Sequence, residues 1–222
     1  MRTPYPEYDI LENFDYWDEQ TQAVVRKRLD EVPAITFFTE EEAGLLAAVD
    51  DRIMPQHVRA PQQRVPIVPF IDEMLAPNNT DGFRQPDMPW SQAAWRQGLA
   101  GIEETSGAMQ GRAFAELEPR LQHAILAAIQ EGDPPGDTWQ QLPAKKFFKD
   151  LVQQIAAVYY AHPAAWSEIG WGGPAKPRSY VRLGYGMRDP WDSVEREPAS
   201  VEIARRKAKT TESSSGAGGA TH

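Results

Sequence analysis

Prolines cut this chain into helix-length pieces. Pro33, Pro55, Pro119, Pro143 and Pro163 each stand at the edge of a run whose apolar residues recur at three- and four-residue spacing. Proline is tolerated in the first turn of a helix but not in its interior, where it removes a hydrogen bond and clashes with the preceding turn. The chain is thereby confined to helices of limited length joined at marked corners. From Trp17 to about Leu29, the residues Thr21, Val24, Val25 and Leu29 form one stripe, with Asp15 or Asp18 as the cap. In "TEEE", Thr39 and Glu42 have the spacing of a capping box, ahead of a buried face of Leu45, Leu46, Val49 and Ile53. Residues 55–66 read as a loop and "IVPFIDEML" as a short helix. Pro89 reads as the first residue of a longer helix that buries Trp95, Leu99 and Ile102 and fades at Gly107 and Gly111. Pro119 opens a helix with the stripe Leu121, Ile125 and Ile129, closed by Gly132. After Pro143 a last long helix turns Phe147, Phe148, Leu151, Val152, Ile155 and Val158 inward.

No segment alternates apolar and polar residues for long enough to support a sheet, so the fold is expected to be all-α. It should be a compact bundle of about six or seven helices with long ordered connections and an extended C-terminal arm. Residues 1–14 read as an N-terminal extension and 15–191 as the helical domain, with an arm at 159–191. Residues 192–222, rich in charge, Ser and Gly with almost nothing to bury, read as a disordered tail.

Composition excludes several kinds of function. The chain has 222 residues, a formal net charge of -9 and no cysteine. The acidic balance argues against a partner bound by phosphate neutralisation, so nucleic acid is not expected. The missing thiols exclude disulfides, iron–sulfur clusters, thiolate zinc sites and covalently attached c-type haem. The first twenty residues show neither a basic stretch followed by an apolar one nor a twin arginine, so no export signal is read there. The longest apolar runs fall short of the roughly 20 residues that span a bilayer, so no direct membrane span is expected.

Catalytic motifs are equally sparse. There is no G-x-G-x-x-G, no phosphate-binding G-x-x-x-x-G-K-[ST], no H-E-x-x-H and no G-x-S-x-G. "GWGG" at 170–173 reads as a tight turn, because it follows a helix rather than a strand. The pairs in "DDR" (50–52) and "EEE" (40–42) read as solvated carboxylates on a helix's outer side or in its first turn. His57, His123, His162 and His222 do not share one-turn spacing, so no metal site is expected. The turn "HPAAWSE" could bring His162 and Glu168 together as an acid/base pair. Against this, His162 reads better as a cap for the short helix after Pro163, and Glu168 as a partner for Arg178 or Arg182.

One stretch remains unaccounted for. Tyr159 to Trp191 holds seven of the fourteen Trp and Tyr residues, with Lys176, Arg178, Arg182 and Arg188 against Glu168 and Asp189. Pro163, Pro174, Pro177 and Pro190 stiffen it, and Trp, Tyr and Arg are enriched at binding hot spots. Two readings stay open: a preorganised arm that docks on a partner, or a loop wrapped over its own core. The docking reading names Tyr159, Tyr160, His162, Trp166, Trp171, Arg178, Tyr180, Arg182, Tyr185 and Trp191.

"FFTEEEAGLLAAVDDRIMP", "PIVPFIDEML", "WRQGLAGIEE" and above all "YYAHPAAWSEIGWGGPAKPRSYVRLG" resemble the gluconate 2-dehydrogenase subunit 3 family, from about Tyr8 to Trp191. The resemblance implies a non-catalytic small (gamma) subunit that binds, stabilises and helps mature a FAD-dependent large subunit of the glucose-methanol-choline type. That large subunit oxidises sugars or polyols, commonly with a cytochrome c as electron acceptor. FAD is then expected in the partner and no cofactor in this chain. Members often carry a twin-arginine signal, which is not read here, so the resemblance leaves a cytoplasmic complex or export on a partner's signal. Two other classes of function stay open: an independent small enzyme built on His162 and Glu168, and a general helical scaffold.

Overall fold

Helix α1 (Glu19–Asp30) starts where the Asp18 carboxylate accepts the Thr21 amide at 2.8 Å, so of the two candidate caps Asp18 is used. Its periodicity is only partly read out in burial. Val25 is buried and Leu29 half-buried, but Val24 is 62% exposed, because adjacent valines lie about 100° apart on a helix and only one faces inward. The computed structural model describes residues 4–5, 7–76, 86–174, 189 and 191–194. These residues are helical and contain no strand, so the chain has an all-α fold. By its internal contacts the chain divides into two units, Val25–Ala164 and Met1–Val24 with Ala165–His222.

In the larger unit, α2 (Glu40–Ile53) begins at the capping box: Glu42 N donates to Thr39 Oγ1 at 3.2 Å and Thr39 N to Glu42 Oε2 at 2.9 Å. The segment entering this helix is anchored from two sides. Asp72, fully buried on α3 (Ile67–Leu75), accepts from the amides of Thr36 (2.7 Å), Phe37 (3.0 Å) and Phe38 (2.8 Å). Arg96, on α4 (Ser91–Gln110), donates to the Phe37 carbonyl (2.7 Å) and to Glu42 (2.7 Å), and its guanidinium stacks over the Phe37 ring. The connection at 55–66 is a loop with a 3-10 turn at Pro61–Gln63. Its order comes from buried Gln56, whose amide takes both backbone groups of Val65, accepting at 2.8 Å and donating at 3.1 Å.

α4 differs from the sequence expectation at both ends. Trp90, not Pro89, is the capping position, because its carbonyl accepts the Ala94 amide at 2.8 Å while its own backbone is extended. The helix runs through Gly107 and stops only at Gly111, which adopts the left-handed conformation. α5 (Pro119–Glu131) carries its proline in the first turn and ends at Gly132. Its buried stripe is Gln122, Ile125, Leu126 and Ile129, with Leu121 rotated to the boundary. α6 (Ala144–Ala161) buries Ala144, Phe147, Leu151, Ile155 and Tyr159, whereas Phe148, Val152 and Val158 are half-buried. α6 packs on α5 and α3, and α4 on α5. α4 comes close to its neighbours at two glycines. A Cβ at Gly98 would fall 2.0 Å from the Phe147 ring and one at Gly101 2.6 Å from the Trp139 ring, so both positions admit only hydrogen.

The smaller unit is built on a 3-10 turn at Ile10–Tyr16, capped by the Asp9 side chain on the Leu11 amide. Within the same unit the Ile10 amide donates to Ser167 Oγ at 3.1 Å, and Ser193 Oγ donates to the Gly170 carbonyl at 2.7 Å.

Candidate functional site

The aromatic stretch begins at the last turn of α6, where two adjacent tyrosines differ in burial. Tyr159 is buried with Arg59 over its ring at 5.8 Å. Tyr160 meets it edge to face at 5.1 Å and stays 41% exposed. α6 ends at His162, whose Nδ1 accepts the amide of Ala164 at 3.2 Å and so caps the four-residue helix α7 (Pro163–Trp166). Burial lowers the imidazole's pKa, and the positive charges of Arg28 and Arg59 push it the same way, opposed by a hydrogen bond to the Arg28 backbone. Through Nδ1 the ring takes the capping role for the helix after Pro163 that was read from the sequence. Phe70 closes on it edge to face at 5.8 Å.

Beside this ring lies an open pocket of about 310 Å³. Phe70 and Met74 of α3 and Val158 of α6 give it an apolar floor, and Arg28, Glu73 and Gln154 are its charged and amide groups. Arg28 also ties α1 to α6, donating to the Ala161 carbonyl at 2.7 Å.

In the smaller unit the tryptophans form a stack. Phe14 meets Trp17 at 5.5 Å, Trp17 meets Trp166 at 6.3 Å, and Trp166 meets Trp171 at 4.5 Å, all edge to face. Trp166 is only 6% exposed, whereas Trp171 is 38% exposed next to exposed Ile169. Trp191 is half-buried; its carbonyl accepts the Tyr8 hydroxyl at 3.0 Å and its ring lies 5.9 Å from Tyr16. "GWGG" forms a turn. Gly170 is left-handed at the end of a 3-10 turn (Ser167–Ile169), and a Cβ at Gly173 would fall 2.6 Å from the Trp17 ring.

Of the ten residues named for docking, the chain buries Tyr159, His162 and Trp166, half-buries Trp191 and exposes Tyr160 and Trp171. Arg178, Tyr180, Arg182 and Tyr185 lie outside the described residues, as do Lys176, Arg188 and the tail beyond 194. Glu168 is half-buried. The acidic pairs need one correction. Asp50 is not a solvated carboxylate: its Oδ1 is buried without a hydrogen-bond partner. Burial, and next the neighbouring charge of Asp51, push its pKa up to about 7. The reason is position, since Asp50 follows directly on the buried face of Leu46 and Val49. The sequence reading also missed Asp72 and the pocket. Asp72 had one visible signal, an acidic residue on the stripe of Val68, Ile71 and Leu75; the pocket needs three separate helices and left no mark in any one of them.

Among the described residues no group of three or more His, Cys, Asp or Glu side chains could hold a metal ion, and no helix is long and apolar enough to cross a membrane. The sequence model of the family described as gluconate 2-dehydrogenase subunit 3 matches residues 40–173, more than half of the chain. No curated protein and no solved structure matches it.

Proposed function

The chain belongs to the gluconate 2-dehydrogenase subunit 3 family, and from that premise we propose that it is a non-catalytic accessory subunit. In this reading it binds and stabilises a FAD-dependent large subunit of the glucose-methanol-choline type that oxidises sugars or polyols, and assists its maturation. Electrons pass from that flavin to a cytochrome c, and neither centre belongs to this chain. The complex assembles in the cytoplasm, with passage to the periplasm on a partner's signal as the other outcome that fractionation would register.

The observation that supports docking is the unequal treatment of a single aromatic stack. Trp166 is packed away while Trp171, in contact with it, presents its ring to solvent beside Ile169. A rigid, half-exposed tryptophan on a buried aromatic base loses little entropy on binding, which is the property of an interface anchor. The test is co-purification. The tagged chain should bring down one flavoprotein in equal amount, the isolated chain should carry no flavin and oxidise no sugar or polyol, and Trp171→Ala should weaken capture while leaving thermal stability near wild type. Stoichiometric flavin in an active single chain would refute the accessory role, and unchanged capture by Trp171→Ala would refute the anchor.

A further inference from the structure

The pocket beside His162 is braced before anything enters it. At about 310 Å³ it sits at the low end of the roughly 300–1,000 Å³ typical of ligand sites. Arg28 is fixed on the Ala161 carbonyl, and the His162 ring is fixed by the Ala164 amide and the edge of Phe70. Filling such a cavity orders little that is not already ordered.

Its lining restricts the occupant. Arg28 and Glu73 face the same space without forming an ion pair, and among the described residues the side chains of Glu73 and Gln154 make no hydrogen bond. A free anion would meet the Glu73 carboxylate and a free cation the Arg28 guanidinium, so the pair selects against either simple ion. Gln154 offers a donor and an acceptor on one amide, the complement of a peptide group, and Arg28 already donates to one peptide carbonyl here. The floor of Phe70, Met74 and Val158 accepts only apolar surface. An apolar side chain carried on a polypeptide meets all of these conditions together.

We propose that this pocket receives a side chain the size of leucine, methionine or phenylalanine from a segment of the dehydrogenase large subunit. The segment's backbone lies on Gln154 and Arg28, and a basic neighbour meets Glu73. The assignment rests on the accessory-subunit reading above and supplies it with a second contact besides Trp171.

Ala157 makes the test clean, because it lines the pocket yet is exposed, so filling the cavity from this position leaves the core intact. Ala157→Trp and Glu73→Lys would be compared with wild type for affinity toward the purified flavin-bearing subunit that co-purifies with the wild-type chain, alongside melting temperature. Ala157→Trp should weaken binding by about tenfold or more with its melting temperature unchanged. Glu73→Lys should weaken it more at low salt than at high. Wild-type affinity in Ala157→Trp overturns the pocket assignment and leaves the accessory role standing. Failure of the wild-type chain to bind any flavin-bearing subunit overturns both. Affinity that rises when residues 195–222 are removed, but not when they are removed from Ala157→Trp, gives the pocket to the chain's own tail and overturns the assignment as well.

Discussion

Replacing Asp72 by asparagine should unfasten the entrance to α2. The carboxylate is fully buried and accepts three backbone amides in succession, Thr36, Phe37 and Phe38, plus the Thr36 hydroxyl at 3.2 Å. Asparagine keeps the shape but has one acceptor oxygen, and its amino group must face at least one N–H that the carboxylate had satisfied. Hydrogen bonds to a charged group contribute about 1.5–3 kcal/mol each, and a buried donor left unpaired costs about 1–3 kcal/mol. Thr36 and Phe37 are partly exposed and can recruit water, so only the Phe38 amide, bonded at 2.8 Å inside the core, bears the full penalty. The sum is a loss of about 2–3 kcal/mol, a sizeable part of the roughly 5–15 kcal/mol that a folded chain has in total. For a chain of this length the melting temperature should fall by about 4–12 °C. Urea unfolding would give the free energy, and amide exchange the location, with protection lost first at Phe37 and Phe38. A variant within about 0.5 kcal/mol of wild type, or exchange that rises evenly along the chain, would refute the reasoning.

Three further outcomes follow from the packing and the titrating groups. Gly98→Ala must displace the buried Phe147 ring and should destabilise by about 1–3 kcal/mol, whereas Gly44→Ala, with nothing within 4 Å, should stabilise by about 0.5–1 kcal/mol; thermal melts compare the two directly. His162 has a lowered pKa, so its contribution to stability is complete above the unfolded value of about 6.5 and is lost as pH falls through the folded value; His162→Asn, which keeps an acceptor for Ala164, should flatten that slope in stability measured against pH. Asp50 runs the opposite way, its pKa raised to about 7, so its contribution is complete below the unfolded carboxylate range and is lost as pH rises through about 7; Asp50→Asn should gain on the order of 1–3 kcal/mol at pH 8 and nothing at pH 4.

What could be read from residue order alone was whatever depends on neighbours in the chain. α3 occupies Ile67–Leu75 residue for residue, and Thr39 with Glu42 forms the capping box, because both signals lie within one or two helical turns. Long-range polar ties left no such mark. Nothing near Arg96 announces Phe37, since that bond exists only once separate elements meet, and nothing near Gln56 announces Val65, since that bond exists only once the 55–66 loop has closed on itself. The helix-to-loop change at "YYAHP" was legible, including the capping role of His162. Which of two adjacent tyrosines is buried was left open, although Tyr159 continues the four-residue spacing of Phe147, Leu151 and Ile155 on the buried face of α6. The division of the rest of the aromatic stretch into packed and exposed rings is a tertiary result.

The Gln56 amide sets how the 55–66 connection meets a protease. Cleavage requires an extended segment of several residues to leave the surface, and here that means breaking both bonds to Val65 together with the Arg59 guanidinium's holds on Gln63 (3.2 Å) and Ala164 (2.8 Å). Trypsin has two potential sites in this connection, after Arg59 and after Arg64. Each would be cut at a rate set by the population of an opened state rather than by exposure of the arginine. In a connection whose only helical hydrogen bonds are those of one short 3-10 turn, a buried side-chain amide and one guanidinium thus give the backbone much of the kinetic resistance ordinarily supplied by longer secondary structure.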